Sequence, residues 1–360
     1  MTPHHRPSSP SSTDGPGTAD AGHPYERLTP QAVLDALDSV GIRGDGRLLQ
    51  LNSYENRVFQ VMLEDGGAVV AKFYRPARWS DAQIAEEHGF AAELAAAEVP
   101  VVAPLALAGG DTLAEVDVEG LPFRLAAYPR RAGHGPDLDR PDTLRWLGRF
   151  IGRLHAVGAQ RAFAHRRKLD PATFGHQALA RLLALDVIGP AQVDAFRSTA
   201  EQALAMVDAA FAAVPFTPIR LHGDCHPGNI LWRDPDEGSG GGPHIVDLDD
   251  AVSGPAVQDL WMLLSGDAAA MRSQLAAVLA GYRQFCRFDR RELALIEPLR
   301  TLRMLHHNAW LAERWGDPAF PAAFPWFGTP NHWSQQTVEL REQIAAMAEP
   351  ALDPDDAWLD

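Results

Sequence analysis

Apolar positions along the chain fall into two regimes. Between Leu48 and Tyr128 they alternate with polar residues or run in short blocks bounded by turn formers. This pattern predicts strands over Leu48–Leu51, Arg57–Leu63 and Ala68–Tyr74, the last two joined by the hairpin signal Glu64-Asp65-Gly66-Gly67. Val99–Leu107 and Glu119–Tyr128 read as further strands around an Asp/Gly-rich turn. Two helices accompany them. Thr29 caps the first, Pro30 occupies its opening position and Gly41 ends it. Ser80 and Gln83 form a capping box for the second, which runs to about Ala97 with Ile84, Phe90 and Leu94 on one side. Beyond about residue 135 the period becomes helical. Leu144, Leu147, Ile151 and Leu154 make an amphipathic stripe, another helix covers about 190–213, and about 256–348 is helical except for a break at Pro318–Trp333.

The expected fold is α+β: a small antiparallel β-rich lobe with one main helix, then a larger, mostly helical lobe. Residues 1–25 are rich in Ser, Pro, Gly, Thr and His, lack the apolar side chains needed to offset ordering entropy, and read as a disordered tail. The first lobe is expected over 26–128 and the second over 129–348, with a short tail at 349–360. A cleft between lobes is where a ligand would sit.

Net charge is −15 and only two cysteines, Cys225 and Cys286, are present. The acidic balance disfavours nucleic-acid and membrane-surface partners. Two cysteines in so long a chain make no disulfide scaffold. Without an apolar run long enough to span a bilayer or a secretory leader, a cytoplasmic protein is expected.

The chemistry concentrates in Leu221-His222-Gly223-Asp224-Cys225-His226-Pro227-Gly228-Asn229-Ile230-Leu231-Trp232, followed by Ile245-Val246-Asp247-Leu248-Asp249-Asp250. An aspartate, an asparagine five places on and then a carboxylate after an apolar run is the grammar of phosphoryl transfer, as in H-R-D-x-x-x-x-N followed by D-F-G. Transfer needs a positioned Mg²⁺, a neutralised phosphate tail and an oriented hydroxyl. Asn229 and Asp247 are oxygen ligands suited to Mg²⁺. Asp224, in the same loop, is placed to accept the hydroxyl proton or to orient the hydroxyl. Lys72 interrupts an apolar strand, where an unpaired charge is costly. It is expected to neutralise phosphates, held by Glu86 or Glu87 on the next helix. Glu87 is the candidate carried forward, the choice between the two staying open. Ser53-Tyr54-Glu55-Asn56 lies where a phosphate-covering loop belongs. His222 reads as a hydrogen-bonded structural residue, Cys225 as inert, and the tryptophans between 310 and 333 as core.

These residues carry a resemblance. The two motifs resemble the aminoglycoside-phosphotransferase-like kinases, whose two-lobed fold is similar to that of protein kinases. Leu51–Val58, Ala71–Pro76, Glu86–Phe90 and Asp247–Leu263 look like the stress response kinase A family, over about residues 27–345. The resemblance implies an ATP- and Mg²⁺-dependent serine/threonine protein kinase, autophosphorylating and active in bacterial envelope and oxidative stress responses, with protein substrates; a monomer is expected. It implies Asp224 as the active-site residue, Asn229 and Asp247 as Mg²⁺ ligands, and Ser53, Lys72 and Tyr128 on the nucleotide. Asp259 resembles the buried aspartate that braces the catalytic loop, and Ala126–Pro129 the hinge that meets adenine. The chain departs from the protein-kinase pattern in having no glycine fingerprint in the phosphate loop and Gly223 in place of the arginine, which argues against an activation-loop phosphate switch.

Two other classes bear on the motif. A small-molecule kinase of the same fold, acting on an aminoglycoside or choline-like amine, suits the acidic surface. A metallophosphoesterase would share Gly-Asp-x-His but needs further His and Asp clusters that the chain lacks.

Overall fold

The computed structural model describes residues 23–234 and 241–355. Its first lobe is one antiparallel sheet of β1 (Gly44–Gln50), β2 (Arg57–Leu63), β3 (Ala68–Phe73), β4 (Ala114–Val118) and β5 (Leu121–Pro129), ordered β1-β2-β3-β5-β4. Strand alternation divides the sheet's faces. Phe59, Val61, Val69, Ala71, Phe73, Phe123 and Leu125 pack with Val33 and Leu37 of α1 (Pro30–Ser39). The opposite parity, Val58, Gln60, Val70 and Lys72, faces the interlobe cleft. The register that buries the sheet's core therefore also aims Lys72 at the ligand side.

Both predicted helix caps form. Thr29 accepts from the Ala32 N–H, and Ser80 and Gln83 close a reciprocal capping box at the start of α2 (Asp81–Ala96). Two strand expectations differ. Val99–Leu107 is a connection rather than a strand. Pro100 and Pro104 lack the N–H groups a ladder needs, and apart from one isolated bridge between Val101 and Ile245 the segment makes single backbone links, such as Leu105 N–H to Ala127 C=O at 2.7 Å. The strand expected over Glu119–Tyr128 forms as β5 but starts two residues late: Glu119 and Gly120 have φ of 51° and 82° and form the tight turn between β4 and β5. The tail expectation also ran too far. Residues 1–22 lie outside the described residues, but Pro24–Arg27 is a 3₁₀ turn that buries Tyr25 against Phe123, rings 6.1 Å apart.

The second lobe contains α3 (Pro141–Gly158), α4 (Gln177–Ala184), α5 (Val193–Ala213), α6 (Gln258–Trp261), α7 (Ala268–Tyr282), α8 (Ile296–Glu313), α9 (Ala319–Ala323) and α10 (Pro330–Ala348). Helices α3 and α7 touch backbone to backbone. A Cβ on Gly148 would lie 2.0 Å from the Val278 carbonyl oxygen, and one on Gly281 1.9 Å from that of Arg145. Larger residues would force the helices apart and open the core. Two short ribbons cross this lobe beneath the cleft. In one, β6 (Ile219–Leu221) pairs with β9 (Val252–Gly254); in the other, β7 (Ile230–Arg233) pairs with β8 (Gly242–Ile245). Most of the Gly-rich segment between β7 and β8, residues 235–240, lies outside the described residues. Of the tryptophans, Trp333 is fully buried in this lobe's core, whereas Trp326 is exposed.

Candidate active site

The loop that follows β6 is held from below. Asp259, fully buried on α6, accepts the His222 and Gly223 backbone N–H groups at 2.8 and 2.9 Å and His155 Nε2–H at 3.0 Å. Burial alone would raise its pKa, but these donors hold it below the usual carboxylate range. Gln258 donates to the Gly223 carbonyl at 2.8 Å. Gly223 has φ +86°, and a Cβ there would meet the Asp250 carbonyl oxygen at 2.2 Å. No side chain fits where protein kinases carry arginine, because this loop presses directly on the Asp247–Asp250 segment.

The two motifs are stapled to each other. His222 donates from Nε2 to the Val246 carbonyl at 2.8 Å and accepts the Asp224 N–H on Nδ1 at 3.3 Å, the structural role expected of it. The Val246 N–H donates to the Asn229 carbonyl at 3.0 Å. Asn229 in turn donates its amide to the Asp224 carbonyl at 2.9 Å. Asp247 follows in the left-handed region, φ 61°, which aspartate tolerates better than most residues. Its side chain is 53% exposed. The structure thus brings Asp224, Asn229 and Asp247 together on one wall of the cleft.

Lys72 reaches this wall from the other lobe. Its Nζ lies 3.1 Å from Asp247, 3.1 Å from Asp249 and 3.8 Å from Glu87, and the residue is 6% exposed. Burial alone would lower its pKa, but the three carboxylates raise it well above the ordinary value and keep it charged. The choice between the two glutamates is resolved by direction. Glu87 points inward to Lys72, with Arg166 3.7 Å away. Glu86 accepts the backbone N–H groups of Ala164, His165 and Arg166 at 2.6–2.9 Å and ties α2 to the second lobe.

Asp249 was not singled out from the sequence, yet it is a buried hub between the lobes. It meets Lys72, Arg78 at 2.5 Å and the Asn56 amide at 3.1 Å. Burial would raise its pKa; Lys72, Arg78 and Arg166 together hold it well below the usual range. The Asp-x-Asp spacing was a signal for it. Nothing local marked Arg78 or Arg166 as its partners.

The remaining candidates line the same cleft, which has a volume of about 950 Å³. Tyr128 hydrogen-bonds Tyr74 at 3.1 Å and faces it from β5, in register with Val70. The Ala127 carbonyl is taken by Leu105, so the cleft edge beyond the sheet runs along Pro129–Gly133. Ser53 lies in the loop between β1 and β2, which lacks glycine and is pinned by side chains. The Tyr54 carbonyl accepts from Arg57 and Arg75, and Glu55 receives Arg75 at 3.0 Å, Arg314 at 2.6 Å and the Trp310 indole. Asp224 pairs with Arg303 of α8 and with His226 at 3.5 Å. Burial would raise its pKa, but His226 and Arg303 hold the carboxyl well below the usual range, so it is an anion at neutral pH.

A strand lysine tied to a helix glutamate, facing an Asp/Asn loop and a second aspartate across an interlobe cleft, is the arrangement of a phosphotransferase. The chain belongs to the Phosphotransferase enzyme family, which it matches over residues 47–296. It is 44% identical over 333 residues to stress response kinase A of Salmonella choleraesuis (strain SC-B67), covering 92% of this chain and 98% of that one. Identity and coverage are the same for the serine/threonine protein kinase RdoA of Salmonella typhimurium (strain LT2). Among solved structures, an amicoumacin kinase complex superposes with a TM-score of 0.71 at 19% identity, covering 93% of this chain and 98% of that one, a likeness of fold. Among the described residues no helix is long and apolar enough to cross a membrane.

Proposed function

We propose that this chain is an ATP- and Mg²⁺-dependent serine/threonine protein kinase that phosphorylates itself and acts in a bacterial stress response. The observation that carries the reading is the convergence of Lys72, Asp224, Asn229 and Asp247 on one cleft from separate elements of both lobes. The similarity to stress response kinase A supports the biological setting.

In this reading ATP lies along the cleft with its base between Val58, Val70 and Tyr128 above and Leu231 and Val246 below. Lys72, steadied by Glu87, neutralises the phosphates, and Ser53 meets them from its pinned loop. Asp224 orients the acceptor hydroxyl and takes its proton. Among the described residues no group of three or more His, Cys, Asp or Glu forms a metal site alone. Mg²⁺ does not require one, since it takes one or two protein oxygens and completes its shell with phosphates and water. Asp247 and Asn229 supply two such oxygen donors, so the residues fit the ion. When bound, the ion would neutralise charge developing on the phosphate oxygens.

Incubating the purified chain with labelled ATP and Mg²⁺ tests the reading. Label is expected on the chain itself and on Ser/Thr of a generic protein substrate, with both lost on chelating the metal. Label appearing instead on an added aminoglycoside or choline-like amine, with none on protein, would favour a small-molecule kinase.

A further inference from the structure

The acceptor end of the cleft differs in charge from the molecule as a whole. The chain carries a net charge of −15, yet Arg167, Arg303 and Arg314 line the cleft on the side of Asp224. The carboxylates there already have cationic partners. Asp224 pairs with Arg303, and Asp250 with Arg78 at 2.6 Å. Glu313 pairs with Arg181 at 2.6 Å and Arg314 at 3.2 Å, and Glu55 with Arg314 and Arg75. Arg167 has no carboxylate within 4 Å among the described residues; its guanidinium lies over the Trp79 ring at 4.7 Å. His306 and His307 also line this end. Burial, with nearby arginines, pushes their pKa values down to about 3 and about 4, so both are neutral. A polycationic acceptor would find every carboxylate here already paired and would face Arg167, which has only longer-range attraction to Asp250 and Glu313.

We infer that the acceptor of this cleft carries an anionic group beside its hydroxyl: a Ser or Thr flanked by Asp or Glu in a protein chain, recognised by Arg167 and Arg303. The inference rests on the kinase reading and names its substrate class. Arg303 holds the carboxylate that the incoming hydroxyl must reach. A flanking acidic side chain gives Arg303 another partner and frees Asp224 as the hydroxyl arrives. In the step that follows, the acceptor oxygen bonds to the γ-phosphorus and the bond to the β–γ bridging oxygen breaks. ADP leaves with that electron pair, and the hydroxyl proton passes to Asp224. Arg167, fixed on Trp79, meets the second flank. Specificity comes as much from rejecting basic flanks as from attracting acidic ones.

The test uses the full chain with Mg²⁺, labelled ATP and three serine peptides of equal length, flanked by Asp/Glu, by Gly/Ala or by Arg/Lys, with an aminoglycoside as a fourth acceptor. The acidic peptide is expected to exceed the neutral one in kcat/KM by about tenfold, with the basic peptide lowest. Arg167→Glu is expected to reverse the order of acidic and basic peptides, and Arg167→Lys to keep it. A wild-type preference for the basic peptide or the aminoglycoside would overturn the inference, as would an order unmoved by Arg167→Glu. In those cases continued self-labelling leaves the kinase reading standing. Absence of transfer to every acceptor, the chain included, would overturn both.

Discussion

Asp224→Ala is expected to lower kcat by about 10²–10⁴-fold, the range a positioned proton acceptor contributes, while leaving the fold intact. Among the described residues the carboxylate bonds only Arg303 and His226, both partly exposed. Loop geometry depends on other groups. The Asp224 carbonyl is held by Asn229 and its N–H by His222, and the preceding residues hang from Asp259. A melting temperature within about 2 °C of wild type is therefore expected alongside the lost turnover, as for a substitution that breaks no buried network. Steady-state kinetics and a thermal melt on one preparation read both. Near-normal kcat would remove Asp224 from the chemistry, and a collapsed melt would make it structural.

Lys72→Ala is expected to act on both quantities. The ammonium sits among Asp247, Asp249 and Glu87 in a nearly water-free position. Its removal leaves three carboxylates with less compensation, and Glu87 and Asp249 are buried. Breaking a buried ion pair from one side costs about 3–5 kcal/mol. The lower end applies here, because Arg78 and Arg166 still serve Asp249 and Glu87. ATP use is expected to fall by about 10²–10³-fold in kcat/KM, the scale of losing one preorganised contact to developing charge. Urea unfolding and ATP kinetics test the pair of effects. Unchanged kcat/KM would move the phosphate contact to another cation, for which Arg78 is the nearest candidate.

The contrast between these two substitutions parallels what the sequence made legible. Asp224, Asn229 and Asp247 were readable because their relation is local: a fixed spacing of Asp224 and Asn229 in one loop, and Asp247 just past the β7–β8 hairpin that follows. Lys72 was readable because a charge inside an apolar strand demands a partner. The partners themselves were not. Arg78 meets Asp249 across 171 positions and Arg303 meets Asp224 across 79, and spacing carries no information at that range. Glu86 and Glu87 were equivalent on the helix except for a rotation of about 100°. Three backbone N–H groups of the second lobe decide between them, and no property of α2 reveals those. The differences in strands have local causes: prolines at 100 and 104 remove ladder donors, and Glu119-Gly120 turn the chain at the head of the expected strand. Gly223 shows the reverse case. The sequence marked it as a departure, and only the approach of the Asp250 carbonyl explains it.

The central claim is that one cleft holds the nucleotide between Lys72 and Asp247, with the metal on Asn229 and Asp247. A crystal structure of the full chain with a non-hydrolysable ATP analogue and Mn²⁺, whose anomalous signal locates the ion, tests it most directly. The predicted result is a phosphate tail against Lys72 and an ion bound by the Asp247 carboxylate and the Asn229 amide oxygen, with the Lys72–Asp247 contact of 3.1 Å lengthened to admit them. Nucleotide bound outside this cleft, or an ion held by other residues while Asp247 stays closed on Lys72, would contradict it.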